Sequence, residues 1–309
     1  MTRIAITGIN SYFAKTVLGK LETDPDVTSI VGIDVVPGQF TSPKIEFHQE
    51  DVRSEAVFKL LEGVDTVVHL AFIVQEIRDK QRTHDINLNG SINVFNACVA
   101  NRVGKIVYTS SIASYGAHPD NPIGMAEDHP LRPNPDSYYS SDKATIENFL
   151  AGFAKEHPEI MLTILRPPVI VGPRLQNFGA DAFTKKRSLA IKGRDTEIQF
   201  LHEKDLSTAL YLAITRRVPG IYNIAADDYS TVRRINAMAG VKLINVSVGL
   251  IKMLANLFFA LGLEKASQGW VSLMEWPIVV SSEKFKKATG WQPRFSTDQA
   301  FRDFLKSRS

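Results

Sequence analysis

Short apolar runs alternate with amphipathic segments along the first half of the chain. Each run ends in a small or polar residue, and in each segment that follows, the apolar residues recur every three or four positions. This pattern predicts buried strands that alternate with helices. Such strand-helix-strand units have right-handed crossovers and form a parallel sheet that helices cover on both faces. We therefore predict an α/β fold with a doubly wound parallel sheet.

The element boundaries follow from the same pattern. Predicted strands cover residues 4–6, 30–33, 45–51, 64–71, 105–109 and 160–166, and predicted helices cover residues 12–21 and 87–101, a segment ending at Leu61 and the segment around Tyr139. The second half is less regular, with predicted helices over residues 179–192 and 204–214, short strands over 198–201 and 221–224, and a last helix after a turn at 290–293.

We expect two lobes, because a chain of 309 residues is long enough for one large core and a smaller one. Residues 1–168 contain most of the predicted parallel sheet. Residues 169–309 form a smaller mixed lobe, and segments within about 195–225 cross back to the first lobe. The boundary lies near Pro168.

Residues 246–263 are the most apolar stretch of the chain, rich in Leu and Phe. Lys252 and Asn256 interrupt it, and it is shorter than the roughly 20 apolar residues that a membrane-spanning helix needs. We favour a helix of the core or of the second lobe over one that lies on a membrane surface or faces lipid.

The composition argues against nucleic acid as a partner. Hydrophobic residues make up 44% of the chain and charged residues 22%, which is typical of a soluble globular protein. The formal net charge is +3 with the basic residues spread out, and we interpret residues 185–187 as a solvated helix face. The N-terminus has no cationic leader followed by an apolar core, so we expect a cytoplasmic location.

Cys98 is the only cysteine, so an intramolecular disulfide and a cysteine metal cluster are both excluded. Its apolar neighbours predict a buried position. The seven histidines lack a metal-ligand spacing such as H-E-x-x-H, and no metal site is predicted.

Tyr139 and Lys143 are the strongest candidates for catalysis. They lie four residues apart on a predicted helix and therefore share a face. A unit charge about 4 Å away at an effective dielectric of about 20 contributes about 4 kcal/mol, enough to lower the pKa of a tyrosine by about 3. Ser111 follows the predicted strand 105–109 and could hydrogen-bond a substrate oxygen while the phenolate takes its proton. Taken by itself, a tyrosine and a lysine at this spacing more often have a structural role, in which the lysine stem packs beside a buried tyrosine.

The turn after the first strand and the end of the second predict a dinucleotide site. Gly8 lies in the turn that precedes a helix, where a parallel-sheet protein receives a pyrophosphate. Asp34 ends the second strand, where a carboxylate accepts hydrogen bonds from ribose hydroxyls and repels a 2′-phosphate. No Arg or Lys follows Asp34 closely, which favours NAD over NADP.

Together these features resemble the extended short-chain dehydrogenase/reductases, grouped as NAD-dependent epimerases/dehydratases. The resemblance covers nearly the whole chain, with Asp34 at the place of the ribose-binding acid. The matched patterns are T-G-x-x-G-x-x-G at residues 7–14, D-[VIL]-x at 51–53, H-L-A-A at 69–72, N-V-x-G-T-x-N at 87–93, S-S-x-x-V-Y-G at 110–116, Y-x-x-x-K at 139–143, R-P-x-x-V-Y-G-P-R at 166–174, H-V-x-D at 202–205 and G-W-x-P at 290–293.

The resemblance implies a Rossmann-type NAD-binding domain in residues 1–168 and a substrate-binding lobe in residues 169–309. It implies that Tyr139 acts as acid and base, that Ser111 polarises the substrate oxygen, and that Lys143 holds the nicotinamide ribose and tunes Tyr139. A homodimer through the helices near residues 90 and 145 is also implied. The implied cofactor contacts are Gly8, Ser11, Tyr12, Phe13, Asp34, Asp51, Val52, Leu70, Ala71, Asn87, Tyr139, Lys143 and Pro168.

The chain departs from the family pattern at several positions. Ser11 and Ala14 replace the second and third glycines of the first turn, for which we expect altered rather than abolished NAD binding. Ile112 and Ala113 follow Ser111 where sugar-nucleotide 4,6-dehydratases carry an acid pair, which disfavours that elimination. Ile198 replaces an Arg that clamps a substrate diphosphate in relatives, a contact worth about 1.5 to 3 kcal/mol, unless Arg174, Lys192 or Arg194 compensates.

The leading hypothesis is an NAD-dependent enzyme that takes hydride from a secondary alcohol, such as one on a sugar or nucleotide sugar. The sequence leaves open whether it is an epimerase or a dehydrogenase, and the departures point to a less polar, steroid- or isoprenoid-like alcohol as an alternative. A non-catalytic dinucleotide-binding regulator or subunit is the second alternative, motivated by the weakened glycine turn.

Overall fold

The structure is a computed structural model that describes residues 1–176, 185–264 and 266–308. The described strands, in chain order, are Thr2–Thr7 (β1), Val27–Asp34 (β2), Ile45–Gln49 (β3), Thr66–His69 (β4), Lys105–Thr109 (β5), Met161–Arg166 (β6), Val169–Val171 (β7), Arg187–Ile191 (β8), Glu197–Ile198 (β9), Phe200–His202 (β10), Gly220–Asn223 (β11), Ser230–Thr231 (β12) and Lys242–Val246 (β13).

The described helices lie between these strands and after the last one. In chain order they are Tyr12–Thr23 (α1), Ala56–Leu60 (α2), Lys80–His84 (α3), Gly90–Ala100 (α4), Tyr138–Glu156 (α5), Glu203–Thr215 (α6), Val232–Met238 (α7), Val248–Leu261 (α8), Gln268–Leu273 (α9), Glu283–Thr289 (α10) and Thr297–Lys306 (α11). A π-helical turn at Asp85–Asn89 precedes α4, and a 3₁₀ turn at Ile112–Tyr115 follows β5.

Within the described residues, seven strands form one parallel sheet in the order β11-β6-β5-β4-β1-β2-β3. The order reverses direction between β1 and β4, which makes a crevice at the carboxyl ends of these two strands. The predicted doubly wound, Rossmann-type α/β fold is thus confirmed. Three two-stranded sheets accompany it: β10 with β7, β12 with β9, and β13 with β8.

The two faces of the large sheet carry separate hydrophobic cores. Strand β1 sends Ile4 and Ile6 to the core that α1 and α6 cover, and Ala5 to the core that α2, α4 and α5 cover. This alternation is the period of two expected of a strand buried on both sides. Cys98 is fully buried in the second core, as its apolar neighbours predicted.

The helix predicted over residues 179–192 is wrong where the structure describes it. Residues 187–191 form strand β8, which pairs in parallel with β13 from Lys242 to Val246. Tertiary pairing with a distant strand overrides the local helical pattern here. Arg187 is therefore a strand residue and not part of a helix face, while residues 179–184 lie outside the described residues.

The apolar stretch at residues 246–263 forms α8, but a core position for it is wrong. All of its residues are described, and none of them is buried. The helix belongs to the second lobe, where it contacts α9 and β8. In the described part of the chain, no helix is both long and apolar enough to cross a membrane.

Helix α9 joins the second lobe to the start of α5. A Cβ atom on Gly269 would lie 2.4 Å from the carbonyl oxygen of Asp136 and 2.8 Å from the Cα of Ser137. The Ser272 hydroxyl donates to the Asp136 carboxylate at 2.6 Å. The two backbones therefore touch, and only glycine permits this approach.

We predict that Gly269→Ala destabilises the fold. The added methyl group meets backbone atoms that cannot rotate away, so α9 must shift, and the free energy of unfolding should fall by about 1–3 kcal/mol. Chemical denaturation measures the change. Gly152→Ala in α5 is the matched control, because nothing lies within 4 Å of the Cβ position there. Equal stability of the two variants would contradict the close approach.

Candidate active site

The turn after β1 has the shape of a phosphate-binding turn. Gly8 has a φ of +69°, and a Cβ there would lie 2.7 Å from the backbone nitrogen of Ala71. Ser11 caps α1 by accepting a hydrogen bond from the Ala14 N–H at 3.2 Å. Between Ser11 and Ala14, the N–H groups of Tyr12 and Phe13 have no acceptor within the helix, as in the first turn of any α-helix. An anion is favoured at this end of α1.

Asp34 lies beside this turn, at the end of β2. One carboxylate oxygen accepts the N–H of Asn10 at 2.9 Å, and the other accepts the N–H of Val36 at 3.0 Å. These contacts fix the carboxylate at the carboxyl edge of the sheet. Each oxygen retains a lone pair for a further donor such as a ribose hydroxyl.

A buried chain of hydrogen bonds joins β1, β4 and α4. The Ser91 hydroxyl donates to the Asn87 carbonyl, so it accepts from Nε2 of His69, and Nδ1 of His69 accepts from the Thr7 hydroxyl at 2.7 Å. The Thr7 oxygen in turn accepts the Ala71 N–H. Burial, and to a lesser extent the Lys143 ammonium, lower the pKa of His69 to about 3. The imidazole is therefore neutral and holds the crevice between β1 and β4 in one shape.

Asn87 holds the backbone that follows β4. Its side-chain oxygen accepts the Ile73 N–H at 2.8 Å, and its amide nitrogen donates to Asp142 at 3.0 Å. The second oxygen of Asp142 contacts Nδ1 of His84 at 2.6 Å. Leu70 and Ala71, just before this segment, bond to Thr7 and line the crevice.

Other predicted cofactor residues lie at the edges of this region. The Tyr12 hydroxyl points away from the crevice and donates to buried Glu203 at 2.6 Å. The Phe13 ring packs against the core under α1. Asp51 forms an ion pair with Arg53 at 2.6 Å. Of the remaining predicted contacts, Val52 and Pro168 are both buried. Pro168 follows Pro167, whose carbonyl accepts the Ile112 N–H.

Ser111 and Tyr139 meet at the carboxyl end of β5. Burial raises the pKa of Tyr139, and a side-chain hydrogen bond with Ser111 acts in the opposite direction. The Tyr139 ring stacks on Trp270 with ring centres 5.4 Å apart and meets the edge of Phe72 at 5.6 Å. The phenol therefore lies between the sheet edge and α9 of the second lobe.

Lys143 lies one turn further along α5 and is buried. Its ammonium donates to the Thr109 carbonyl at 2.8 Å and lies 3.7 Å from the centre of the Phe72 ring. Burial lowers the pKa of Lys143 to about 7, although the Glu147 and Asp142 carboxylates act in the opposite direction. The expected lowering of the Tyr139 pKa by Lys143 is not found here, because desolvation of the phenol dominates.

A buried ion pair fixes α5 against the sheet. Arg166 at the end of β6 makes a two-pronged contact with Glu147 of α5, with nitrogen-oxygen distances of 2.6 and 2.9 Å. Glu147 also accepts the Ser110 hydroxyl at 2.5 Å, and Arg166 donates to the Tyr115 hydroxyl at 2.6 Å. The residue before Ser111 and the helix of Tyr139 are thereby tied to one carboxylate.

Sequence reasoning missed Asp142, Glu147 and Trp270. Asp142 adjoins Lys143, and Glu147 lies four residues after it on the same helical face, so a search for acids near the pair could have found both. Trp270 gave no comparable signal, because it reaches Tyr139 only through the packing of α9.

Two of the three residues proposed to replace the missing diphosphate clamp, Arg174 and Arg194, already have carboxylate partners. Ile198 packs in a hydrophobic cluster of the second lobe. Arg174 pairs with Glu203 at 3.2 Å, and Arg194 pairs with Glu275 at 2.9 Å while stacking on Trp276. Lys192 is exposed at the surface. Among the described residues, no group of His, Cys, Asp and Glu side chains could hold a metal ion.

Comparisons with known proteins identify relatives of this chain in sequence and in fold. The model of the NAD dependent epimerase/dehydratase family matches residues 4–225. An uncharacterized protein of Mycobacterium tuberculosis is 25% identical over 99% of this chain and 84% of its own length. The N-acetyl-alpha-D-glucosaminyl-diphospho-ditrans,octacis-undecaprenol 4-epimerase of Escherichia coli O157:H7 is 38% identical over 40% of this chain and 37% of its own. A crystal structure of UDP-glucose 4-epimerase from Thermotoga maritima superposes with a TM-score of 0.77 at 16% identity, covering 99% of this chain and 98% of the other.

We predict that Glu147→Met costs about 3–5 kcal/mol of unfolding free energy, because it leaves the Arg166 guanidinium buried without a counter-ion. The double variant Glu147→Met/Arg166→Met removes both charges and should lose less than the single variant. Urea denaturation of the wild type, of Glu147→Met, of Arg166→Met and of the double variant measures these differences. A double variant that loses the sum of both single effects would contradict a dominant role for the ion pair.

We predict that Lys143→Met stabilises the protein by on the order of 4–5 kcal/mol at pH 6–7. The folded pKa of Lys143, about 7, lies below the ordinary value of 10.5. The cost of burying the ammonium is therefore fully present below pH 7 and disappears as the pH rises from about 7 towards 10.5. The stability difference between the variant and the wild type should shrink over that range. A difference that is independent of pH would contradict a buried ammonium.

Proposed function

The chain belongs to the NAD dependent epimerase/dehydratase family and uses NAD as its cofactor, and from this premise we propose that it oxidises a secondary alcohol with Tyr139 as the proton acceptor. The placement of Ser111 and Tyr139 on adjoining segments is the observation that supports this role most directly: Ser111 follows β5, and the Ser140 hydroxyl at the start of α5 donates to the Ala113 carbonyl at 2.6 Å. The first stage of the reaction is removal of the proton from the substrate hydroxyl and of a hydride from the carbon that bears this hydroxyl.

Each residue of the trio has a distinct task in this proposal. Tyr139 accepts the hydroxyl proton of the substrate, and Ser111 donates a hydrogen bond to the same oxygen as it becomes a carbonyl. NAD, when bound, accepts the hydride. Lys143 has a pKa near neutrality, so it can supply a positive charge that favours the phenolate once a polar group displaces its contact with Phe72.

The residues of the crevice fit a dinucleotide. The first N–H groups of α1 suit the pyrophosphate, and Asp34 suits the adenosine ribose. Gly8 brings the turn against Ala71, so that no side chain fills the space above β1 and β4. Ser11 caps the helix and can donate its own hydroxyl proton to a phosphate oxygen, which supports altered rather than lost binding.

The substrate we propose is a secondary alcohol on a largely apolar molecule or on a sugar attached to one. Ile198 lies where relatives place the diphosphate clamp, and Arg174 and Arg194 are engaged by carboxylates. Trp270 and Phe72 present aromatic surface to the reacting phenol. The partly similar Escherichia coli enzyme, by its name, acts on an undecaprenol-linked diphospho-sugar. A free nucleotide sugar is the less favoured substrate.

We also propose a cytoplasmic homodimer formed through α4 and α5. These two helices cover the same face of the sheet, side by side in the second core. Light scattering of the purified protein tests the dimer, and substitutions of exposed residues of α4, such as Asn96→Lys, should then weaken it.

We predict that Tyr139→Phe keeps NADH affinity and lowers turnover by about 10²–10⁴-fold, because only the proton acceptor is lost. Tyr138→Phe is the matched control, since the Tyr138 hydroxyl bonds to the Val74 carbonyl outside the proposed reaction. NADH fluorescence titration measures affinity. Turnover is measured by NAD reduction or by retained NAD with isomer formation, using undecaprenol-linked sugars, nucleotide sugars and apolar alcohols. Unchanged turnover in Tyr139→Phe would reject the assigned role.

A further inference from the structure

Helix α8 is amphipathic in the reverse sense to a helix of a water-soluble protein. Its side chains at Leu250, Met253, Leu257 and Leu261 are between 43% and 60% exposed. Their spacing of three, four and four residues places them on one side of the helix. The polar residues of the helix, in contrast, make their contacts with the protein itself.

These polar contacts fix the orientation of α8. Lys252 forms an ion pair with Glu275 at 3.0 Å. The Asn256 side-chain amide donates to the Gln268 side-chain oxygen at 2.8 Å, and the Asn256 side-chain oxygen accepts the backbone N–H of Gln268 at 3.0 Å. The apolar side therefore faces outward as a consequence of specific contacts and not of a loosely attached helix.

The outward apolar surface extends past the helix. Phe258 and Leu263 are 39% and 68% exposed, and Met274, directly before Glu275, is 49% exposed. So many exposed apolar side chains on one helix and the segments next to it are unusual in a monomeric soluble protein, and they indicate a site of interaction with another apolar body. We call residues 250, 253, 257, 258, 261, 263 and 274 the apolar face.

The two-stranded sheet of β8 and β13, which α8 contacts, exposes both positive charge and apolar side chains. Arg187 of β8 and Lys242 of β13 are exposed and lie side by side in the register, and Leu189 and Ile244, two residues further along each strand, are 41% and 46% exposed. In the described part of the chain, neither cation has an ion-pair partner. Two adjacent like charges repel each other, and external anions relieve that repulsion.

We propose that the apolar face and the β8–β13 sheet dock the protein on the surface of an anionic lipid bilayer. Leucine, methionine and phenylalanine side chains enter the interfacial region, while Arg187 and Lys242 contact anionic headgroups. A water-exposed protein partner would also match the apolar side chains, but the adjacent unpaired cations favour a surface that combines acyl chains with dense negative charge.

Helix α9 connects the docking surface to the candidate active site. Gln268, which clamps α8, begins the helix that carries Trp270, and Trp270 stacks on Tyr139. When the protein is docked through α8, only helix α9 separates α8 from the Tyr139 phenol. The inference that the substrate alcohol comes from the bilayer rests on the proposed function. The inference that the protein docks on a bilayer does not.

Co-sedimentation of the full-length protein with vesicles tests the proposal. The vesicles contain phosphatidylcholine alone or an equimolar mixture with phosphatidylglycerol. We expect binding to the anionic vesicles that weakens with salt. Met253→Glu/Leu257→Glu should lower the partition coefficient by about tenfold or more, and Arg187→Ala/Lys242→Ala should lower it by about tenfold on anionic vesicles only. Ile123→Glu, at an exposed apolar residue elsewhere, is the control and should bind as the wild type does.

Two results would overturn the proposal. One is absence of vesicle binding by the wild type. The other is a dimer in light scattering that Met253→Glu/Leu257→Glu converts to a monomer without any vesicle binding, which would assign the apolar face to a second copy of the chain. NADH titration of every variant serves as a check of folding. Because docking is measured without substrate, and Tyr139→Phe should dock normally, failure of docking is separable from failure of the proposed chemistry.

Discussion

The geometry of the candidate active site depends on the buried ion pair between Glu147 and Arg166. The guanidinium comes from the end of β6 and the carboxylate from the middle of α5, so the pair fixes the helix of Tyr139 and Lys143 against the carboxyl edge of the sheet. Ser110 donates to the same carboxylate, which places Ser111 next to the phenol. A buried pair of this kind contributes little net stability, since desolvation offsets most of the attraction, but loss of one member is costly. Its value here is the positioning of two elements relative to each other.

The other buried polar groups serve the same end. The chain from Ala71 through Thr7, His69 and Ser91 to Asn87 satisfies every donor it contains, which a low-dielectric interior requires. Lys143 differs from these groups in that burial disfavours its charged form and lowers its pKa to about 7. A strongly shifted pKa beside specific charged partners is a common property of catalytic sites.

The two lobes use polarity in opposite ways. The sheet lobe buries hydrogen-bonded polar side chains at its carboxyl edge, where we propose that the cofactor and the substrate hydroxyl bind. The second lobe turns its most apolar helix outward and uses Lys252 and Asn256 to attach it. Trp270 connects the two regions by stacking on Tyr139. This arrangement is consistent with a cofactor that arrives from water and an alcohol that arrives from an apolar phase.

The sequence alone determined the repeating strand-helix order, the parallel sheet, the buried Cys98 and the identity of the candidate residues Ser111, Tyr139 and Lys143, because these depend on local periodicity and on short motifs. Strand β8 was mistaken for a helix, since its partner β13 lies about fifty residues away and pairing is not a local property. The direction of the Tyr139 pKa also required coordinates, because desolvation depends on everything packed around the phenol, including Trp270 from a distant helix. Likewise, the apolar composition of α8 suggested a helix of the core or of the second lobe, and only the contacts of Lys252 and Asn256 decided which side of it meets solvent. Tertiary structure was needed wherever the deciding contact joined residues that are far apart in the chain.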